Sequence, residues 1–333
     1  MRIAVDAMGG DSAPDEIVRG ALLYRSAGGT AEIVLVGREE AVRRALGTAH
    51  DAARSGITVV DAQDVVTMDE HPSAALRRRS DTSIGVATAL VKRGEADAVV
   101  SAGNTGATMA AALLGLGRIP GIDRPALCGM LPTTANKPAC ILDVGATMDA
   151  SGSNLLQYAR MATRFMEGVH GRAGPSVGLL NVGEEAEKGT RLAQEAHALL
   201  SGAEDLAFYG NVEGRDVMRG TTDIVVCDGF VGNVLIKGLE GVVDVLREAI
   251  RTDIFGGVLG KLALPLAYRG IRRLRGRLDY RPYASAPLLG VNGVSVVTHG
   301  RADAAMLRYA IDVAERSVSS GLIAAIGASA SRS

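Results

Sequence analysis

Glycine-rich turns recur in this chain where short runs of β-branched and apolar residues end and helical patterns begin. They read VDAMGGD at 5–11, SAGNTGA at 101–107, LDVGAT at 142–147, LLNVGEEAEKGT at 179–190 and CDGFVGN at 227–233. In an open α/β sheet such turns follow the carboxyl ends of strands, where ligands bind. Glycine lets the backbone approach a ligand closely, and the helix that follows offers N–H groups and a positive dipole end. The pattern therefore predicts an anion-binding crevice and a phosphate-handling enzyme.

Short apolar runs alternate with helical patterns over most of the length. The predicted strands are 2–7, 32–36, 57–61, 96–101, 126–131, 139–144, 176–182, 206–209, 224–228 and 293–298, and the predicted helices include 84–91, 108–116, 155–166, 191–200 and 234–250. Such alternation is typical of βαβ units, so we expect an α/β fold, a three-layer sandwich with a largely parallel sheet. No helix fits between 126–131 and 139–144, which predicts one local antiparallel pair. The small residues at 324–333 predict a frayed tail.

Composition narrows the classes of function. The 333 residues, 47% of them hydrophobic, are enough for a sizeable core, and we expect a single large catalytic domain over 1–333. A net charge of -1, 3% aromatic residues and no tryptophan argue against nucleic acid as a partner. Neither a secretion signal nor an apolar run of about 20 residues is present, which favours a cytoplasmic protein.

The cysteines and histidines show no catalytic or metal-binding spacing. Cys128, Cys140 and Cys227 lie in apolar runs, and we expect buried thiols there. His50, His170 and His197 are expected at the surface, and His71 precedes a proline in a turn. His299 follows a predicted strand, so it is a candidate for the crevice. Since there is no G-x-S-x-G or H-E-x-x-H motif, neither a nucleophilic triad nor a zinc hydrolase is supported, and no metal or cofactor is expected.

Residues 255–283 break the alternation and form a basic amphipathic segment. The sequence FGGVLGKLALPLAYRGIRRLRGRLDYRPY combines an apolar stripe with seven basic residues against one acid, Asp279. Because Pro265 interrupts the helical pattern, we expect a protruding helical hairpin. Its candidate contacts for a membrane or a partner are Leu262, Leu264, Leu266, Arg269, Arg272 and Arg273. An anionic membrane, an acidic partner and another subunit are all compatible with such a surface.

Seven motifs, in this order and at these intervals, resemble one family. VDAMGGD, SAGNTGA, RPAL, LDVGA, NVGEEAEKG, VCDGFVGNVLIKGLEG and APLLGVNG look like the phosphate acyltransferases of bacterial phospholipid synthesis (the acyl-carrier-protein:phosphate acyltransferase family, PlsX), from the first strand to about Ser320. Two departures are Thr147, where the family usually has asparagine, and Ala284-Ser285, where it usually has a glycine pair.

The resemblance implies transfer of a long-chain acyl group from an acyl-carrier-protein thioester to inorganic phosphate, which gives acyl-phosphate. It also implies a fold like phosphotransacetylase and isocitrate dehydrogenase, a homodimer, peripheral membrane association and supply of product to a membrane glycerol-3-phosphate acyltransferase. The alternative from another class is a nicotinamide-dependent dehydrogenase of the same fold. A scaffold without catalysis would leave the glycine turns unexplained.

We expect one crevice at the edge where the strand ends meet. Its catalytic candidates are Lys188, Asn104, Asn233 and His299. Its candidates for binding substrate or phosphate are Asp6, Gly9, Gly10, Thr105, Gly106, Asp143, Gly145, Asn181, Gly183, Glu184, Asp228 and Gly229. Acids and amides in such turns are also common helix caps, an alternative that applies to about half of them.

Replacing Leu262, Leu264 and Leu266 with aspartate should abolish sedimentation with anionic vesicles while sparing activity in a soluble assay. The leucines would insert, and each arginine would add roughly 1 kcal/mol near an anionic surface, a contribution that salt screens. A triple variant that still binds vesicles, or that no longer folds, would instead mark the stripe as a contact between subunits.

Overall fold

Eleven strands of the chain form one hydrogen-bonded sheet. The computed structural model describes residues 1–47, 55–67, 69–79, 81–135, 137–254, 257, 270 and 281–330. The strands are β1 (Arg2–Asp6), β2 (Glu32–Gly37), β3 (Ile57–Asp61), β4 (Ala98–Ser101), β5 (Ala126–Leu131), β6 (Ala139–Leu142), β7 (Ser176–Leu180), β8 (Ala207–Val212), β9 (Ile224–Val226), β10 (Ser285–Leu289) and β11 (Val294–Thr298). Their order in the sheet is β3-β2-β1-β4-β11-β10-β5-β6-β9-β7-β8.

Helices lie on both faces of this sheet. They are α1 (Asp15–Ser26), α2 (Glu39–Leu46), α3 (Pro72–Arg78), α4 (Ser83–Lys92), α5 (Thr105–Gly115), α6 (Gly152–His170), α7 (Arg191–Ser201), α8 (Gly214–Arg219), α9 (Gly229–Ala249), α10 (Ala304–Ser319) and α11 (Leu322–Ala330). A π-helical turn, Ile250–Ile254, extends α9, and a 3₁₀ turn, Arg281–Tyr283, precedes β10.

The strand sequences explain the three layers. In β1, Ile3 and Val5 point into a core that also contains residues of α1, α6 and α10, whereas Ala4 points into a second core with residues of α4 and α5. Because both faces of such a strand are buried, it reads as a continuous apolar run. The three-layer α/β/α architecture expected from the alternation is confirmed.

Two parallel sets of strands run in opposite directions, and three antiparallel pairings, β11–β10, β10–β5 and β5–β6, lie between them in the sheet. Strands β1 to β4, β11 and β5 all run one way, since β10 is antiparallel to both β11 and β5. Strand β6 pairs antiparallel with β5, as predicted, and β9, β7 and β8 continue parallel to β6. The carboxyl ends of β6, β9 and β7 are therefore at the opposite edge from those of β1, β4 and β11. Our expectation that all the turns share one edge is wrong, because it treated every strand outside the hairpin as parallel.

Strand β10 was missed in the sequence. Its residues, SAPLL, include a proline, which is uncommon inside strands. They also follow the basic segment directly, so the alternation of strands and helices did not indicate a strand there. Ser285 begins this strand, and extended backbone does not need glycine. The departure from the family's glycine pair at Ala284-Ser285 is therefore compatible with the local structure.

The C-terminal segment is ordered further than predicted. Residues 322–330 form α11, in which Leu322 and Ile326 are buried against the main core. The prediction of a frayed tail from residue 324 is therefore wrong up to residue 330. The apolar residues of this segment pack against α6. Residues 331–333 lie outside the described residues.

The predicted hairpin falls almost entirely outside the described residues. Within 255–283 the structure describes Gly257, Gly270 and the turn Arg281–Tyr283, so Leu262, Leu264, Leu266, Arg269, Arg272 and Arg273 remain predictions. Helix α9, which leads into this segment, has no buried side chain among its described residues from Lys237 onwards. Among the helices that the structure describes, none is long and apolar enough to cross a bilayer.

Replacing Phe165 with alanine should lower the free energy of unfolding by about 3–5 kcal/mol, because the ring of this α6 residue is fully buried and its loss leaves a cavity. Phe230 is the matched control, since its side chain is 61% exposed and its replacement should cost about 0.5 kcal/mol or less. Urea unfolding of both variants measures the difference, and equal losses would contradict this assignment of the core.

Candidate functional site

The first group of predicted residues surrounds the buried carboxylate of Asp6, where β1 and β4 end. Its Oδ2 accepts the Ser101 hydroxyl at 2.7 Å, and its Oδ1 accepts the N–H of Met8 at 3.2 Å. Burial raises the pKa of Asp6, and both hydrogen bonds oppose that rise. The Ser101 hydroxyl also accepts the N–H of Gly103 at 3.0 Å. Asp6 thus joins the two turns that follow β1 and β4.

These turns approach so closely that side chains would not fit. A Cβ on Gly9 would lie 2.6 Å from the Asp6 carboxylate and 2.7 Å from the nitrogen of Gly103. Gly10 has a φ of +110°, and the neighbouring Asp11 donates its N–H to the carbonyl of Gly300 at 2.8 Å. The turn after β11 therefore belongs to the same group. It carries the exposed His299, whose Nδ1 accepts the N–H of Arg301 at 3.1 Å.

Asn104 is the N-cap of α5. Its side-chain oxygen accepts the N–H of Ala107 at 3.1 Å, and its amide group donates to the carbonyl of Thr67 at 3.3 Å. Thr105 and Gly106 are the first residues of that helix. The alternative of a capping role therefore applies to Asn104, because both ends of its amide already have partners in the chain.

The second group is built around Asp143, where β6 ends. Its carboxylate is fully buried and accepts five backbone hydrogen bonds, two from Ala146 and one each from Leu127, Gly145 and Thr147, at 2.6–3.0 Å. Burial raises the pKa of Asp143, and the N–H donors oppose this by favouring the ionised form. Asp143 therefore fastens its own turn, 143–147, to the start of β5.

The turn 143–147 also seats the start of α9. Gly229 donates its N–H to the carbonyl of Thr147 at 2.9 Å, and a Cβ on Gly232 would lie 1.9 Å from the carbonyl oxygen of Asp143. The side-chain nitrogen of Asn233 lies 3.0 Å from where a Cβ on Gly145 would be. Only glycine at position 232 allows the helix to come so close.

Asp228, a predicted site residue, and Thr147, the departure from the family pattern, both bond to the backbone. Asp228 caps α9, since its Oδ1 accepts the N–H groups of Phe230 and Val231 at 3.0 Å each. The hydroxyl of Thr147 donates to the carbonyl of Pro125 at 3.2 Å and is buried. The family's asparagine at position 147 is thus replaced by a residue whose polar group is engaged with the backbone.

The turn after β7 completes the second group. The amide of Asn181 donates to the carbonyl of Lys188 at 3.1 Å, and its oxygen accepts the N–H of Val182 at 2.8 Å. A Cβ on Gly183 would lie 3.3 Å from the Cγ of Lys188, so the aliphatic part of that side chain passes over Gly183. Lys188 and Glu184 are both exposed. Lys188 is therefore an exposed residue of the turn that follows β7.

One apolar contact region links the two groups. Val144 and Ala146, in the turn 143–147, pack in one cluster with Met109 of α5 and Val297 of β11. The predicted residues form two groups at opposite edges, connected by this turn.

His197, which was expected at the surface, is half-buried. Its Nδ1 lies 3.0 Å from the side-chain oxygen of Asn211, and its ring packs edge-on against Phe208. His170 is also partly buried, and its pKa falls to about 4 through burial and the nearby Arg316 and Arg172. His50 lies outside the described residues.

Asn211 is a site residue that the sequence analysis missed. It is only 3% exposed, but the strand that contains it was predicted to end at residue 209.

The expectation for the cysteines is confirmed. Cys128, Cys140 and Cys227 are free thiols, and all of them are buried. Burial raises the pKa of Cys128 and Cys227 well above the ordinary value for a thiol. Among the described residues, no His, Cys, Asp and Glu side chains form a group of three that could hold a metal ion.

Comparisons with known proteins agree with this fold and these motifs. The family described as "Fatty acid synthesis protein" matches residues 1–325. A phosphate acyltransferase from Heliobacterium modesticaldum is 50% identical over 326 residues, which are 98% of this chain and 96% of that protein. The EutD phosphotransacetylase from Staphylococcus aureus has a TM-score of 0.61 at 14% identity, covering 96% of this chain and 94% of that one. The 4-hydroxythreonine-4-phosphate dehydrogenase from Klebsiella pneumoniae has a TM-score of 0.51 at 17% identity, with coverages of 95% and 98%.

Replacing Asp143 with asparagine should lower the free energy of unfolding by about 3 kcal/mol, because an NH₂ group would then face N–H donors in a buried site. The control is Asp228→Asn, where asparagine is an equally good N-cap and the change should stay within about 0.5 kcal/mol. Urea unfolding near pH 7 compares the two variants. A stable Asp143→Asn protein would show that the five hydrogen bonds do not hold the turn together.

Proposed function

Because the chain belongs to the family of phosphate acyltransferases, we propose that it transfers a long-chain fatty acyl group from the thioester of acyl-carrier protein to inorganic phosphate. The product is acyl-phosphate for the synthesis of phosphatidic acid. The observation that carries this proposal is the 50% identity to a phosphate acyltransferase over 98% of this chain. The likeness to phosphotransacetylase concerns the fold alone.

The chemistry requires little beyond positioning and charge stabilisation. An oxygen of phosphate attacks the thioester carbonyl carbon, a C–O bond forms, and the C–S bond breaks to release the carrier's thiolate, which then takes up a proton. Phosphate is partly a dianion near neutral pH and is itself the nucleophile. The protein must hold it close to the carbonyl carbon and stabilise the oxyanion that forms there.

Lys188 is our candidate for binding phosphate or for stabilising that oxyanion. The amide of Asn104 has partners within the chain, and the first N–H groups of α9 are engaged by Asp228 and Thr147. Lys188 is exposed in the loop that leads into α7. Asn233, next to Gly145, is the candidate for a neutral donor in the same group. His299 remains a candidate in the group around Asp6.

Helix α9 supports the proposed partners of this enzyme. Val242, Val245 and Leu246 are 52–69% exposed, and an apolar surface of this kind favours contact with another molecule. We propose that α9 and the basic segment that follows serve a homodimer, the carrier protein and an anionic membrane surface. A cytoplasmic enzyme that docks there would release its reactive acyl-phosphate close to the membrane glycerol-3-phosphate acyltransferase, and this limits hydrolysis.

Incubation with acyl-carrier-protein thioester and labelled phosphate should give labelled acyl-phosphate. Replacing Lys188 with alanine should lower turnover on the order of 10²-fold, the loss typical of one oxyanion donor. Lys92→Ala, at the exposed end of α4, is the control and should retain full activity.

Each outcome of this assay separates the alternatives. Normal turnover and normal dependence on phosphate in Lys188→Ala would remove that residue from the mechanism. Absence of any acyl-phosphate with the wild-type protein would contradict the proposed function. Fluorescence enhancement of NADPH on binding would then favour the dehydrogenase alternative.

A further inference from the structure

The loop that carries Lys188 is held by three amide side chains, one from β8, one from α7 and one from the first residue after β7. The carbonyls of Glu185, Glu187 and Lys188 accept hydrogen bonds from Asn211 of β8 at 2.7 Å, Gln194 of α7 at 2.6 Å and Asn181 at 3.1 Å. A loop without secondary structure lacks the backbone hydrogen bonds of a helix or sheet. The side-chain amides supply hydrogen bonds to its carbonyl groups instead. The loop is thereby fixed to the body of the domain without any ligand.

Asn211 bonds the same backbone carbonyl that accepts the N–H of Lys188. The carbonyl of Glu185 accepts both the amide of Asn211 and the N–H of Lys188, the latter at 3.2 Å. Asn211 is 3% exposed, and burial of an amide is costly unless both its ends are hydrogen-bonded. Its nitrogen is engaged by the loop, and its oxygen by His197.

A β-bulge directs Asn211 towards the loop. Strand β8 pairs with β7 as Val177 with Phe208 and then Gly178 with Gly210, so Tyr209 is left out of the register. Gly210 has a φ of +122°, a conformation that residues other than glycine rarely adopt. As a result Phe208 and Asn211, three residues apart, both contact His197 on the same face of the sheet. Bulges that redirect a side chain are common next to functional sites.

The hydrogen-bond partners also determine the proton on His197. Asn211 uses its NH₂ group for the carbonyl of Glu185, so its oxygen faces the imidazole. An oxygen can only accept, and the Nδ1 of His197 must therefore carry a proton. Such a ring donates the hydrogen bond that holds the oxygen of Asn211 in place.

We propose that His197 and Asn211 are positioning residues that hold the loop 183–189, and with it Lys188, in the geometry that binds phosphate. The proposal rests on the proposed role of Lys188. His197 orients Asn211, Asn211 fixes the carbonyl of Glu185, and that carbonyl anchors the N–H of Lys188. Neither residue is assigned a contact with substrate.

The test compares two substitutions of one residue. His197→Asn keeps a donor at the position of Nδ1, whereas His197→Leu removes it and leaves the side chain about as bulky. We expect His197→Leu to raise the KM for phosphate on the order of tenfold, as for loss of one buried hydrogen bond, with a smaller change in kcat. His197→Asn should restore a KM close to that of the wild type. In a Lys188→Ala background the leucine substitution should change the KM little, since both changes act through one contact.

Hydrogen exchange of the loop amides gives a readout that does not depend on activity. Exchange at residues 183–189 should be faster in His197→Leu than in His197→Asn, while exchange in β6 and β9 stays unchanged. An unchanged KM and unchanged loop exchange in a folded His197→Leu protein would overturn the proposal, although acyl-phosphate formation by the wild type would keep the proposed function intact. Equal defects in both variants would also overturn it, because they would show a packing role. If the wild type makes no acyl-phosphate, the proposed function fails and the positioning role fails with it.

Discussion

The burial of one carboxylate organises the centre of this molecule. Asp143 lies between the end of β6 and the start of β5, and its two oxygens accept five hydrogen bonds from four backbone N–H groups. Taking a charge out of water is costly, and only such complete solvation by the chain itself makes it stable there. The turn that results joins the two halves of the sheet and seats the start of α9 through Gly229 and Gly232.

Polar side chains at the ends of the strands are used mainly to build the turns. Asp6 joins two turns, Asn104 and Asp228 cap helices, and Asn181 bonds the backbone of its own loop. A turn that binds a small anion must hold its shape before the ligand arrives, or part of the binding energy is lost in ordering it. The role of these residues is thus to make the scaffold rigid. Lys188 differs from them, because its charged end faces solvent.

The fold is shared with proteins of different chemistry. The neighbours at 14% and 17% identity are a phosphotransacetylase and a dehydrogenase, so the architecture by itself does not select a reaction. Selection must come from the side chains and loops placed at the strand ends. The identity of 50% to a phosphate acyltransferase extends over those same loops, and for this reason the proposed function rests on sequence relationship more than on overall shape.

The sequence by itself determined the layers, the family and the positions of the turns. Short apolar runs and helical patterns depend on neighbours in the chain, so β1, β4 and α6 could be recognised locally. The sequence also predicted that β5 and β6 pair antiparallel, because no helix fits between them.

The reversed direction of β6, β9 and β7 depends on which strands are neighbours in space. Only the tertiary structure decided that the Asp6 and Asp143 groups lie at opposite edges, since that edge is set by the long-range pairing of β10 with β5 and β11. The contact of His197 with Asn211 was likewise decided there, because a bulge changes which residues share a face without leaving a periodic signal in the sequence.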